Sequence, residues 1–130
     1  MNYFTTDIVK FARDNHDFRR VVYTATNSQV VVMSLHPGEE LGMEVHQSID
    51  QIFCFVEGKA QVTIDGVPLE VEKNDVVIVP AGTLHDVRNI TAHPLRFFTI
   101  YSPPAHAPGT VHHTREDAEV DQHDYAPKRS

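Results

Sequence analysis

From Val21 to Tyr101 the chain is cut into short apolar runs, each ended by Gly, Pro, Asn or Asp, and this punctuation constrains the fold more than any other feature. VVYTAT (21–26), QVVVMSL (29–35), AQVTID (60–65), LEVEK (69–73), VVIVP (76–80) and LRFFTIY (95–101) are rich in β-branched and aromatic residues, which favour strands. Asn27-Ser28 and Asp65-Gly66 read as two-residue hairpin turns, and His36-Pro37-Gly38 ends a strand because proline removes a ladder donor. About eight to ten short strands at this spacing predict an all-β sandwich or closed barrel rather than an α/β arrangement. Only the ends differ. Ile8, Phe11 and Ala12 can share one face of a short helical turn, and Thr114-Arg115-Glu116-Asp117 can cap a short helix through about Val120. Residues 121–130 are polar and are expected to be disordered.

The 130 residues suit one domain, divided into an N-terminal segment with the first strand (1–28), a barrel (29–103) and a C-terminal segment with a short helix (104–130). A net charge of −7 without a basic cluster argues against nucleic acid and anionic membrane surfaces. Cys54 is alone, so no internal disulfide forms. The N-terminus has no basic region followed by an apolar stretch, and no run approaches the ~20 apolar residues of a membrane span. A cytoplasmic protein is expected.

Two stretches carry chemistry: GMEVHQSIDQIFCFVEG (42–58) and PAGTLHDVRN (80–89). The first is expected to run strand, turn, strand. Glu44 and His46 are two apart, so an extended backbone sends both side chains to one face. Gln51 follows a turn-like QSID, and His85 follows the Pro80-Ala81-Gly82 corner. Singly, such residues commonly face solvent and nothing more. Together, the four supply nitrogen and oxygen donors suited to a divalent transition metal, with Mn, Fe, Ni and Zn all open. The other reading is a site without metal, in which Glu44 and Gln51 hold a ligand by hydrogen bonds.

The spacing resembles the two-part signature of the cupin superfamily. In that pattern the first part runs from a glycine through His-x-His and a Glu to a second glycine, and the second part runs Pro-x-Gly, His, Asn. Gly58 follows Gln51 with six residues between, and Pro80, Gly82, His85 and Asn89 match the second part without a gap. Glu44 stands where the first His is usual and Gln51 where the Glu is usual, so a carboxylate and a neutral donor have traded places. Further along, TIYSPP (99–104) and HAPGTVHHT (106–114) look like small, single-domain bacterial cupins of the mannose-6-phosphate-isomerase-like group. The resemblance covers about residues 30–118. It implies a jelly-roll barrel, a double-stranded β-helix, with a metal at Glu44, His46, Gln51 and His85.

Such a site predicts an enzyme for a small oxygen-rich molecule, a sugar or a hydroxy or keto acid, working by metal-assisted isomerisation or elimination. Glu44, if not a ligand, or His112 is the candidate proton carrier; His106, His112 and His113 lie in a segment that can fold back over the barrel mouth or simply be solvated. Two alternatives stand beside it: a metal-dependent dioxygenase, and a non-catalytic module for a small ligand. Phe53, Phe55, Val87 and Phe98 are expected to line the interior. Ile52, Cys54 and Val56 form the opposite face of their strand, which the N-terminal segment or a second subunit must cover, so a homodimer is expected.

Overall fold

The computed structural model describes residues 2–121. Helix α1 (Ile8–Asp14) begins the described elements, followed by β1 (Arg19–Thr24), β2 (Gln29–Leu35), β3 (Asp50–Glu57), β4 (Lys59–Ile64) and β5 (Val67–Glu72). Then come β6 (Val76–Val79), β7 (His85–Asn89), β8 (Leu95–Ser102), β9 (Val111–His112) and helix α2 (Arg115–Val120). The nine strands form two antiparallel sheets, ordered β6-β3-β8-β2-β1-β9 and β5-β4-β7, which face each other as a jelly-roll sandwich. Among the described residues no helix is long and apolar enough to cross a membrane. The expected disorder of 121–130 falls, from residue 122 on, outside the described residues.

Period-two burial builds the interior. On β8, Leu95, Phe97, Thr99 and Tyr101 point inward, while on β3 the same phase brings Gln51, Phe53 and Phe55 to meet them. The Phe53 ring packs on Phe55, Phe97 and His85 with centroids 6.3, 5.8 and 5.9 Å away. Each such fully buried side chain contributes about 1.5–3 kcal/mol relative to exposure. Phe98, expected inside, lies on the other face, where it packs with Ala12, Val32 and Val56 beneath α1. The Leu-Arg-Phe-Phe run is apolar at adjacent positions, so its phase is set by pairing, and a one-residue step reverses every side chain.

The Asp65-Gly66 turn is a two-residue hairpin, with Ile64 opposite Val67 and φ of 48° and 81° at its two residues. Asn27-Ser28 does not form one. Thr24 pairs with Gln29, the Ala25 N–H reaches the Ser28 carbonyl at 2.8 Å, and the loop is four residues, 25–28. A tight hairpin of this hand needs positive φ at both turn residues, and Ser28 tolerates that poorly. Gly58, with φ +91°, sits where a Cβ would come within 3.0 Å of the Pro94 carbonyl, which explains the glycine that closes the first motif.

Both helices carry N-terminal caps, the second at the Thr114 expected from the sequence. Asp7 accepts from the Lys10 N–H, and Thr114 and Asp117 form a reciprocal capping box. The ends of the chain meet through Asp17, whose carboxylate contacts the His113 ring at 2.6 Å and Arg20 at 2.8 Å. Burial pushes the Asp17 pKa up, but these two partners outweigh it and hold the group below the usual range. The stabilisation is therefore present above the ordinary pKa of 3.8 and is lost as pH falls through the depressed value. Solvent-screened contacts of this kind are worth about 1 kcal/mol together. Asp17→Asn should lower Tm by about 3–5 °C at pH 7. The gap should narrow progressively below pH 4; a pH-independent difference in thermal melts would contradict the ionic origin.

Candidate metal centre

The two motifs are held together by their backbones. The 42–58 stretch, expected to open with a strand before its turn, opens instead with irregular chain: residues 38–44 run beside β7, with Gly38 and Leu41 donating to the carbonyls of Asn89 and Val87, and Glu44 and His85 exchanging both backbone hydrogen bonds at 2.8 and 2.9 Å. The Pro80-Ala81-Gly82 corner reaches back across the gap. Its Gly82 N–H donates to the His46 carbonyl at 2.7 Å, and its Ala81 N–H donates to Asp50 Oδ1 at 2.9 Å. Asn89 ties the far end of β7 to the carbonyls of Leu35 and His93. Glu44, His46, Gln51 and His85 are thereby brought to one place.

His85 is 1% exposed and Gln51 fully buried. The His85 Nδ1 lies 3.0 Å from the Thr83 carbonyl and donates to it, so a neutral ring has no proton left for Nε2. Yet Nε2 faces Gln51 Oε1 at 3.1 Å, while the Gln51 amide nitrogen donates to Thr99 Oγ1. The Nε2 lone pair of a neutral His85 thus points at the Gln51 carboxamide. Beside them His46 Nε2 is buried without a hydrogen-bond partner, 3.4 Å from Glu44 Oε2 in a contact that lacks hydrogen-bond geometry. Burial pushes the Glu44 pKa up, but His46, Arg19 and His85 outweigh it, so the carboxyl is held below the usual range and is ionised at neutral pH.

These residues fit a divalent cation. Two donors about 2.1 Å from one metal and 90–110° apart lie roughly 3.0–3.4 Å from each other, which matches both close pairs. Ligand atoms of Glu44, His46 and His85 all lie within 4.8 Å of one another. The Thr83 carbonyl would fix the His85 tautomer and ring plane, as outer partners of metal-bound histidines do.

Above this cluster opens a cavity of about 900 Å³, walled by Arg19, Glu44, His46, His106 and His112, with apolar patches from Leu41 and Ile49. The 102–114 segment folds back over the mouth, and its three histidines separate in role. His113 is on the surface against Asp17. His106 packs edge-on against Tyr101 and is held neutral, its pKa lowered to about 3 by burial and by the charges of Arg19, His112 and His46. His112, expected as a proton carrier, has both ring nitrogens engaged: Nδ1 accepts from Arg19 Nη1 at 3.2 Å and Nε2 meets Asp121 Oδ2 at 2.9 Å. Both nitrogens are thus engaged by protein partners. Tyr101 keeps its proton, its pKa pushed up to about 12, chiefly by burial.

Arg19, Thr99 and Tyr101 were not singled out from the sequence. Thr99 and Tyr101 share the phase of Leu95 and Phe97, and Arg19 that of Val21, so alternation marks their inward face once one member is known to be buried.

Comparison with known proteins accords with this architecture. The family profile described as Cupin domain matches residues 31–101. The uncharacterized protein YrkC of Bacillus subtilis is 36% identical over 121 residues, covering 88% of this chain and 65% of that protein. The uncharacterized protein L612 of Acanthamoeba polyphaga mimivirus is 33% identical over 102 residues, covering 75% and 63%. The chain thus spans just under two thirds of the length of these two curated relatives. The crystal structure of BH2720 from Bacillus halodurans superposes with a TM-score of 0.89 at 36% identity, covering 92% of this chain and 95% of that one. With a family profile spanning more than half its length and the same architecture in a relative of this identity, the chain belongs to the cupin domain family.

Proposed function

We propose that the protein is a metal-dependent cupin enzyme acting on a small oxygen-rich molecule, a sugar or a hydroxy or keto acid, by isomerisation or elimination. Placing it with the mannose-6-phosphate-isomerase-like cupins is part of this reading. The observation that carries it is the convergence of ligand atoms of Glu44, His46 and His85 within 4.8 Å of one another, with the Gln51 carboxamide 3.1 Å from His85 Nε2 and His46 Nε2 buried without a hydrogen-bond partner, donors that a cation would gather. Glu44, His46, Gln51 and His85 would hold a divalent transition metal, whose chemistry is to polarise a substrate carbonyl as a Lewis acid. The protein residues do the rest. Should Glu44 stay outside the ligand set, its carboxylate, ionised and facing the cavity, can take a proton from an acidified C–H. His106 offers a neutral ring at the wall, backed by the buried Tyr101, and Leu41 and Ile49 exclude water from one side.

Metal analysis of the purified chain, followed by reloading with Mn, Fe, Ni or Zn and a screen of aldoses, ketoses, hydroxy acids and keto acids, tests the reading. About one ion per chain with turnover in one class is expected. Bound metal without turnover in any class would favour the ligand-binding module, and dioxygen consumption would favour the dioxygenase.

The proposal includes a homodimer. The outer face of the six-stranded sheet carries two apolar rows in register, Ile78-Ile52-Ile100 and Val76-Cys54-Phe98. Helix α1 covers the Phe98 end, while Val76 and Ile78 remain 58% and 61% exposed. Sedimentation should give twice the mass of one chain, and Ile78→Glu should shift it to monomer by more than tenfold in dissociation constant. A monomer mass at all concentrations would remove the dimer from the proposal.

A further inference from the structure

Arg19 lines the large cavity and is more than nine-tenths buried, and its charge, unlike that of a histidine, is permanent at any working pH. Its guanidinium is held from three sides. Nη1 donates to His112 Nδ1 at 3.2 Å, the Phe18 ring lies 5.3 Å from its central carbon, and the Tyr101 hydroxyl sits beside it. His112 is anchored in turn by Asp121. The Nε of Arg19, however, is buried and has no hydrogen-bond partner.

A buried charged donor left unpaired is among the costlier defects a fold can keep. Arg96 shows the contrast. Its Nε is also unpartnered, but its Nη1 is neutralised by Glu57 at 2.8 Å and it is not part of this cavity's wall. The close contact of Arg19 is with an imidazole, which leaves the guanidinium charge without that compensation. Nε and Nη2 form one edge of a guanidinium, spaced to match the two oxygens of a carboxylate, and Nη1 is the nitrogen His112 occupies. Arg115, the other arginine on the cavity wall, is spent on the Glu40 carbonyl at 2.7 Å and on Glu119 at 2.8 Å.

Resting on the reading above that this cavity is a metal-dependent active site, we propose that Arg19 is the substrate-binding residue for a carboxylate, that His112 is its positioning residue, and that the substrate class is therefore hydroxy or keto acids rather than neutral sugars. A single guanidinium suits a monoanion with two oxygens. A phosphate, with up to two charges and at least three acceptor oxygens, would find too few donors on one guanidinium edge.

The test is calorimetric titration of the full chain, metal-free and Mn-loaded, with glycolate and pyruvate, the neutral isostere glycolamide, and inorganic phosphate. The wild-type protein should bind the acids about 10–100-fold more tightly than glycolamide, the range expected for a charge-assisted pair. Arg19→Gln should close that gap and Arg19→Lys should restore part of it. His112→Gln should weaken the acids several-fold while leaving glycolamide unchanged, a selective loss that a merely structural histidine would not produce. Equal binding of glycolate and glycolamide to the wild-type chain, which needs no variant to fold, would overturn the assignment, and so would phosphate binding more tightly than either acid. An acid preference in a chain that takes up no metal would leave Arg19 in place and sink the metal-dependent reading; stoichiometric metal without acid preference would do the reverse.

Discussion

His85→Ala is expected to lower bound metal from about one ion per chain to less than a tenth, with affinity falling by more than about 100-fold. Loss of an outer partner of a metal-bound histidine alone costs 10–100-fold, and His85 would be a ligand itself. The substitution also leaves Gln51 Oε1 facing a void where an imidazole nitrogen stood 3.1 Å away. Because His85 is one of many inward side chains on a paired strand, the fold should survive with a modest drop in Tm. Elemental analysis after exhaustive dialysis reads the stoichiometry, and circular dichroism confirms the fold. Retention of a full equivalent of metal by a folded His85→Ala protein would remove the centre at these residues.

Phe53→Ala should have the largest effect on stability. The ring is fully buried between Phe55, Phe97 and His85, and truncations of such residues cost about 3–5 kcal/mol through lost transfer energy and the cavity left behind. In a domain of this size that is a fall in Tm of roughly 10–20 °C. Chemical denaturation should show a lower midpoint with an unchanged slope, the mark of lost stability rather than an altered unfolded state. The same substitution removes the wall behind His85, so metal affinity should weaken even though no ligand is touched. A variant as stable as the parent would mean that the core had closed over the gap.

Most of the sandwich was legible because turns and alternation are local signals. Asp65-Gly66 specified its hairpin outright, and the Thr114 cap was readable from four residues. Glu44, His46, Gln51 and His85 were legible through spacing, since the corner at 80–82 and the turn at 47–49 fix where their side chains can go. What escaped depended on partners far along the chain. Phe98 and Phe97 could not be told apart until β8 paired with β2 and β3. Arg19 reads as an ordinary solvated charge at a strand start; only its pairing with His112, ninety-three positions away, turns it into a buried cavity wall. The partners of the two His112 nitrogens, Arg19 and Asp121, were hidden for the same reason.

Gln51 belongs to the six-stranded sheet and His85 to the three-stranded one, so their 3.1 Å contact spans the sandwich from wall to wall. Anything that cross-links those two atoms acts as a rivet between the layers. Loading the centre would therefore damp sliding of one layer over the other, and slower amide exchange along β3 and β7 would report it far from the cavity mouth.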